Sequence, residues 1–230
     1  MITINKRYPY REIDREEING QRYYAVDSKQ KLPSVTTILD AITDKSHLVE
    51  WRKRVGAVKA TEITIEASSV GTRMHKYLEH YVETGEWKRP GSNPYSKKAN
   101  EMAEIIRDKS LIDMDEVWGQ EISLYMPHMY AGTTDLVGVY KGKPSICDYK
   151  QTNKPKKEEW VGNYRMQLVA YAEAHNELYG TDINEGHIFM CSRGLEYQQF
   201  DIWPDEYKYW RNKWFDGLHK YYEHILSGVN

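Results

Sequence analysis

The chain reads as an α/β domain built on a mixed sheet, and the main reason is a change of hydrophobic period near residue 110. Before that point apolar residues recur at helical spacing. From there they alternate, so 117–125, 131–140 and 144–150 read as strands of an antiparallel meander joined by short turns. A helical stripe at 162–180, strand-like runs at 185–191 and 195–202, and a helix from Asp205 to Ser227 complete the order. With 230 residues, 40% of them hydrophobic, one core is expected. The whole chain, 1–230, then forms a single domain, mainly helical through 110 and sheet-based from 111.

The elements have local reasons. Residues 8–26 mix Tyr and Ile with turn formers and suggest a short hairpin. In LPSVTTILDAI, Ser34 is placed to cap a helix over 34–43. Further helices are expected at 46–55, 57–83 with a break near Ser68-Ser69, and 95–109, with a loop at Gly91 to Pro94. The stretch GVYKGK at 138–143 has three residues between its glycines where a phosphate loop has four, and it leads into a strand. It is a hairpin turn, and no NTPase motif follows from it. Lys154 to Trp160 is a polar loop, after which Met166, Val169, Ala170 and Ala174 form the buried stripe of a helix stopped by Gly180. Tyr207, Trp210, Trp214, Leu218, Tyr221 and Ile225 have the spacing of a packed helical face, which outweighs a base-stacking role.

Composition excludes several classes. The formal charge is -2 from 32 basic and 34 acidic residues, so no global positive field attracts nucleic acid. Local basic patches remain at Arg52-Lys53-Arg54, Lys97-Lys98, and Lys154 with Lys156-Lys157. The cysteines, Cys147 and Cys191, lie in apolar runs and read as reduced, packed thiols, too few for an iron-sulfur cluster. The first residues, MITINKRYPYREIDREE, lack an apolar leader and are too acidic for a transit peptide. No run approaches the ~20 apolar residues of a membrane span, and a cytoplasmic protein is expected.

Chemistry concentrates in GTTDLVGVYKGKPSICDYKQTNKPK, residues 132–156. Alternation along a strand puts Asp148 and Lys150 on one face and Tyr149 on the other. The turn at Lys141 to Lys143 brings Asp135 of the preceding strand alongside. Two carboxylates on neighbouring strands make a hard-oxygen site suited to Mg²⁺ or Mn²⁺, able to activate water against a phosphodiester with Lys150 stabilising developing charge. The plain alternative is an Asp148–Lys150 salt bridge guarding a sheet edge. Further candidates are His75 on a helix, Glu121 as a third carboxylate, and Gln167 and Tyr171, which stand at i and i+4 and can reach one phosphate.

GTRMH (71–75), WGQEISLY (118–125), GTTDLVG (132–138), ICDYKQT (146–152) and RMQLVAYAEA (165–174) occur in the order of the PD-(D/E)xK nuclease motifs of RecB-like domains. With LPSVTTIL, DYKQTNKPK and MQLVAYAEAHN, the chain most resembles the mitochondrial genome maintenance exonuclease family and its phage relatives, over about residues 32–225. The resemblance implies a restriction-endonuclease-like αβββαβ core with an N-terminal helical cover. It also implies a Mg²⁺- or Mn²⁺-dependent DNA exonuclease preferring single strands, of the kind used in DNA repair and recombination. By that resemblance His75, Asp135, Asp148 and the Tyr149 carbonyl hold metal, and Lys150 is the catalytic lysine with Asp135 and Asp148. Glu121 supports them, Gln167 and Tyr171 form the family's Gln-Tyr pair, and Thr72 and Arg73 of GTRMH are substrate-contact candidates. Gln151 departs from the usual threonine, and the absent transit peptide points to a bacterial or phage-infected cell. Rival readings are a duplex exonuclease working with a single-strand annealing or replication partner, a non-catalytic DNA-binding recombination module, and a sequence-specific endonuclease. The last has little chain left for reading bases.

Overall fold

The computed structural model describes residues 2–28 and 30–227. Its strands are β1 (Thr3–Ile4), β2 (Asp14–Ile18), β3 (Gln21–Ala25), β4 (Lys31–Pro33), β5 (Met114–Met126), β6 (Tyr130–Tyr140), β7 (Lys143–Thr152), β8 (Glu185–Ser192) and β9 (Tyr197–Ile202). The helices are α1 (Val35–Ile42), α2 (Ser46–Val55), α3 (Ala57–Thr84), α4 (Pro94–Lys109), α5 (Gly162–Tyr179) and α6 (Pro204–Leu226). A six-stranded sheet runs β1-β5-β6-β7-β8-β9, and β2-β3-β4 form a smaller antiparallel sheet. In the large sheet β1 with β5 and β7 with β8 are parallel and the other pairs antiparallel, so the sheet is mixed, and α4-β5-β6-β7-α5-β8 has the αβββαβ order.

Helices cover both faces of this sheet. On one face α1, α5 and α6 pack onto Val137, Ile146 and Ile188, with Trp214, Leu218 and Tyr221 of α6 buried. On the other, Met74 and Leu78 of α3 and Met102 and Ile106 of α4 meet Leu136, Cys147, Tyr149 and Phe189. The helical N-terminal part therefore divides between two layers. Among the described residues α2 buries none, so it overhangs the domain instead of completing a core.

The turn chemistry is as expected. Ser34 accepts from the Thr37 amide and Gly180 ends α5 in the left-handed conformation, whereas α4 starts at Pro94, the last residue of the loop expected at Gly91 to Pro94, with Asn93 as its cap. Lys141 and Gly142 both have positive φ, +48° and +79°, the hairpin turn whose twist matches its strands. Cys147 and Cys191 are both buried free thiols.

Other expectations are corrected. α3 runs unbroken through Ser68-Ser69, because Arg73 one turn later donates to the Ser69 hydroxyl and carbonyl and removes that hydroxyl from competition with the backbone. The early hairpin is narrower than 8–26, since Tyr8 and Tyr10 pack with Trp118, His175 and Tyr179 instead of pairing in a sheet. The short β1 was not expected from the sequence; it pairs with the edge of β5. Ile225 lies 52% exposed beyond the packed part of α6, and Tyr207 and Trp210 are only partly buried.

Two outcomes follow. An added Cβ at Gly138 would lie 2.0 Å from the Glu116 carbonyl oxygen on β5, so Gly138→Ala should lower unfolding free energy by about 3 kcal/mol in urea titration, the upper part of the overpacking range. Burial pushes His175 down to about 4, and its ring nitrogens sit 3.0 Å from the Tyr10 hydroxyl and 2.8 Å from the Thr181 hydroxyl. Between the unfolded pKa of about 6.5 and the folded one, acid protonates the unfolded chain first. Stability should therefore fall as pH drops through that window, by on the order of 2 kcal/mol, and His175→Gln should flatten the pH dependence of the melting temperature.

Candidate active site

The site forms where two strands stop pairing. The β6–β7 ladder ends at Leu136↔Cys147, so Asp135 and Asp148 are the residues just beyond the last pair. The first half of β6 is held elsewhere: Ser34 bridges Ala131, and the Tyr24 hydroxyl lies 2.9 Å from that of Thr133. Past the fork, Tyr149 keeps a backbone N–H and C=O that would have continued the ladder. Buried backbone groups need partners. The N–H donates to Asp135 Oδ2 at 2.7 Å, and the carbonyl accepts from His75 Nε2 of α3 at 3.0 Å.

That last bond fixes the imidazole. A carbonyl only accepts, so Nε2 carries the proton and Nδ1 is the free ligand atom. Nδ1 lies 3.4 Å from Asp135 Oδ1 and 4.0 Å from Glu121 Oε1. A bare lone pair between two carboxylates is unfavourable, so the arrangement calls for a proton or a cation. Without a metal the proton wins: burial works against the charged ring, but Asp135 and Glu121 outweigh it and raise His75 to about 10. Asp135 responds in the opposite sense, for although burial opposes its charge, His75 holds its carboxyl below the usual range. Ligand atoms of His75, Glu121 and Asp135 all lie within 4.8 Å of one another. Two carboxylates and one imidazole suit Mg²⁺ or Mn²⁺ in hardness and number, with water completing the shell.

Asp148 and Lys150 lie beside this cluster on the α5 side. They form a close ion pair, with the Asp148 side chain 3% and that of Lys150 19% exposed. Burial, reinforced by the Asp135 charge, pushes Asp148 up to about 6 in spite of Lys150. Lys150 stays protonated, because Asp148 and Asp135 outweigh the burial that works against its charge. The expected surface salt bridge is therefore a buried one at a convergence of charges. Gln167 of α5 donates to Asp148 Oδ1 at 3.4 Å and to the Tyr171 hydroxyl at 3.1 Å. Tyr171 is 2% exposed and supports Gln167 from behind. Thr72 is exposed, and Arg73 is engaged by Ser69, so neither joins the cluster in this structure.

Glu121, expected as a third carboxylate, sits opposite Asp135 with φ +49°, a conformation uncommon for any residue but glycine, and its carboxylate faces His75. Several other contributors were not singled out from the sequence. Gly132 leaves room for Tyr171, whose Cε1 would be 2.6 Å from an added Cβ. Tyr164 places its ring 5.2 Å from Lys150 Nζ. Glu79, one turn beyond His75, is half-buried, and burial with the Glu121 charge raises its carboxyl. Its i+4 offset from His75 was the available signal.

No family model matches the chain. It is 27% identical over 210 residues to mouse mitochondrial genome maintenance exonuclease 1, covering 85% of the chain and 60% of that protein. The Xenopus tropicalis protein of the same name is 28% identical over 207 residues, with 83% and 57% covered. Over most of its length the chain is thus similar to the mitochondrial genome maintenance exonucleases. It spans 60% or less of the length of these relatives. The crystal structure of a Eubacterium rectale protein described as a candidate exonuclease superposes with TM-score 0.51 at 15% identity, covering 70% of this chain and 66% of that one; this likeness concerns the fold.

If Nδ1 of His75 is a ligand, His75→Ala should weaken Mn²⁺ binding by about 10- to 100-fold in a calorimetric titration of the intact protein. An unchanged titration would leave His75 as a prop for the Tyr149 carbonyl alone.

Proposed function

We propose that the protein is a divalent-metal-dependent DNA exonuclease that hydrolyses phosphodiester bonds from ends and prefers single strands. The observation carrying this reading is the convergence of Asp135, Asp148, Glu121, His75 and a protonated Lys150 at one fork in the sheet, in a relative of the maintenance exonucleases. A binding module gains nothing from burying like charges so close together.

His75, Glu121 and Asp135 would hold a Mg²⁺ or Mn²⁺ ion, with Asp148 and the Tyr149 backbone at its border. Such an ion supplies Lewis acidity toward a phosphodiester oxygen and lowers the pKa of water. The chain's own groups do the positioning. Lys150, kept cationic by its carboxylate neighbours, is placed to hold a phosphate oxygen and to offset charge that develops as the bond breaks. Gln167 fixes Asp148 from the opposite side and retains its amide oxygen for orienting water. Tyr171 and Gly132 keep Gln167 in place. The balanced net charge of -2 favours a substrate gripped locally over one drawn in along a long basic face.

Oligonucleotides labelled at either end and incubated with Mg²⁺ test the reading. Stepwise shortening is expected, lost with EDTA and abolished in Asp148→Ala and Lys150→Ala, while Lys150→Ala still binds DNA in Ca²⁺. Circular single-stranded DNA should resist. Normal turnover by either variant would refute the assignment, and faster loss of blunt duplex than of single strands would favour the duplex exonuclease reading.

A further inference from the structure

Tyr164 leads from Lys150 into a groove of about 1240 Å³. One wall comes from α1, α2 and the first half of α3, the other from the segment 153–164, and Gln167 lies at its inner end. It is therefore continuous with the candidate active site. Three aromatic residues line it: Trp51 on α2, Trp160 on the 3-10 turn at Glu158–Trp160, and Tyr164 at the start of α5. Trp160 is 55% exposed, an unusual state for the largest apolar side chain, and Lys157 Nζ lies 5.3 Å over its ring.

The charges of the groove nearly cancel. Lys45, Arg54 and Lys156 stand against Asp40, Glu50 and Glu159, and Lys45 is already paired with Asp40 at 2.6 Å. A duplex hides its base faces and is held mainly through phosphates, for which this groove offers little net attraction. An unpaired strand exposes a π face on every base, and aromatic side chains bind those faces without regard to sequence. We infer that the groove takes the unpaired bases next to the cleaved end of a single strand, with Trp160 as their stacking platform and Trp51 as a second aromatic contact from the overhanging α2. This rests on the exonuclease reading and names the part of the substrate that reading leaves open. A fixed platform beside a mobile polymer also explains why a tryptophan remains on the rim of the site instead of in the core.

The test is fluorescence anisotropy of the full chain with a labelled oligothymidylate, an abasic strand of equal length and a blunt duplex, all in Ca²⁺ to prevent cleavage. Trp160→Ala should bind oligothymidylate about 5- to 150-fold more weakly, the effect of one lost stacked base, while Trp160→Phe recovers most of the affinity. The abasic strand should not distinguish the variants. No loss on oligothymidylate, or an equal loss on the abasic strand or the duplex, would overturn the platform. Hydrolysis of bis(p-nitrophenyl) phosphate, which has no base, is followed separately with the wild type and Lys150→Ala. Equal rates there would overturn the exonuclease reading itself, whatever the binding data show.

Discussion

The early end of the β6–β7 ladder is the constraint on which the site depends. Had pairing continued past Leu136↔Cys147, the Tyr149 amide and carbonyl would have faced β6, and Asp135 and Asp148 would have stood directly opposite each other. Like charges at such cross-strand positions destabilise a sheet. The fork resolves this by letting one carboxylate take the place of a strand: Asp135 accepts the Tyr149 N–H, and His75 covers the carbonyl. The backbone is thereby satisfied, and the remaining carboxylate oxygens converge beside an imidazole nitrogen. The small N-terminal sheet, through Ser34 and Tyr24, holds β6 away and keeps the fork open.

A second consequence concerns electrostatics. Asp135 and Asp148 are both buried, yet they depart from ordinary behaviour in opposite directions, one held low by His75 and the other pushed up by burial and its neighbour. Buried charges of this kind persist when every member is paired. Here Lys150 and Gln167 partner Asp148 while His75 and the Tyr149 amide partner Asp135. The two halves are served by different layers of the fold, α5 on one side and α3 on the other. Close packing of both helices against the sheet is thus a condition for the chemistry as well as for stability.

Much of this was legible in the sequence, for reasons that are local. Alternation located β5 to β9, Ser34 and Gly180 marked helix ends, and Lys141-Gly142 fixed the hairpin that sets Asp135 beside Asp148. That Asp148 and Lys150 share one face was readable from strand parity, but only the motif order set them apart from an ordinary salt bridge and linked His75, Glu121 and Gln167 to them. What stayed hidden depends on contacts far apart in the chain. The continuity of α3 rests on the Arg73–Ser69 contact, the use of Tyr8 and Tyr10 on a pocket around His175, and the layer that each N-terminal helix joins on the finished sheet. The positive φ of Glu121 and the space that Gly132 leaves for Tyr171 are likewise set by tertiary packing. Gln167 and Tyr171 show the limit of periodicity: it placed them on one face, but only packing shows Gln167 in front and Tyr171 behind it.

The proposed activity requires a metal ion at the fork. Crystals grown with Mn²⁺ and measured for anomalous scattering would test it. The expected result is a peak within coordination distance of His75 Nδ1 and the carboxylates of Glu121 and Asp135, at the edge of Asp148. A well-diffracting crystal with no peak there, or with manganese bound only elsewhere, would contradict it and leave His75 and Asp135 as a proton-linked brace for the open end of the sheet.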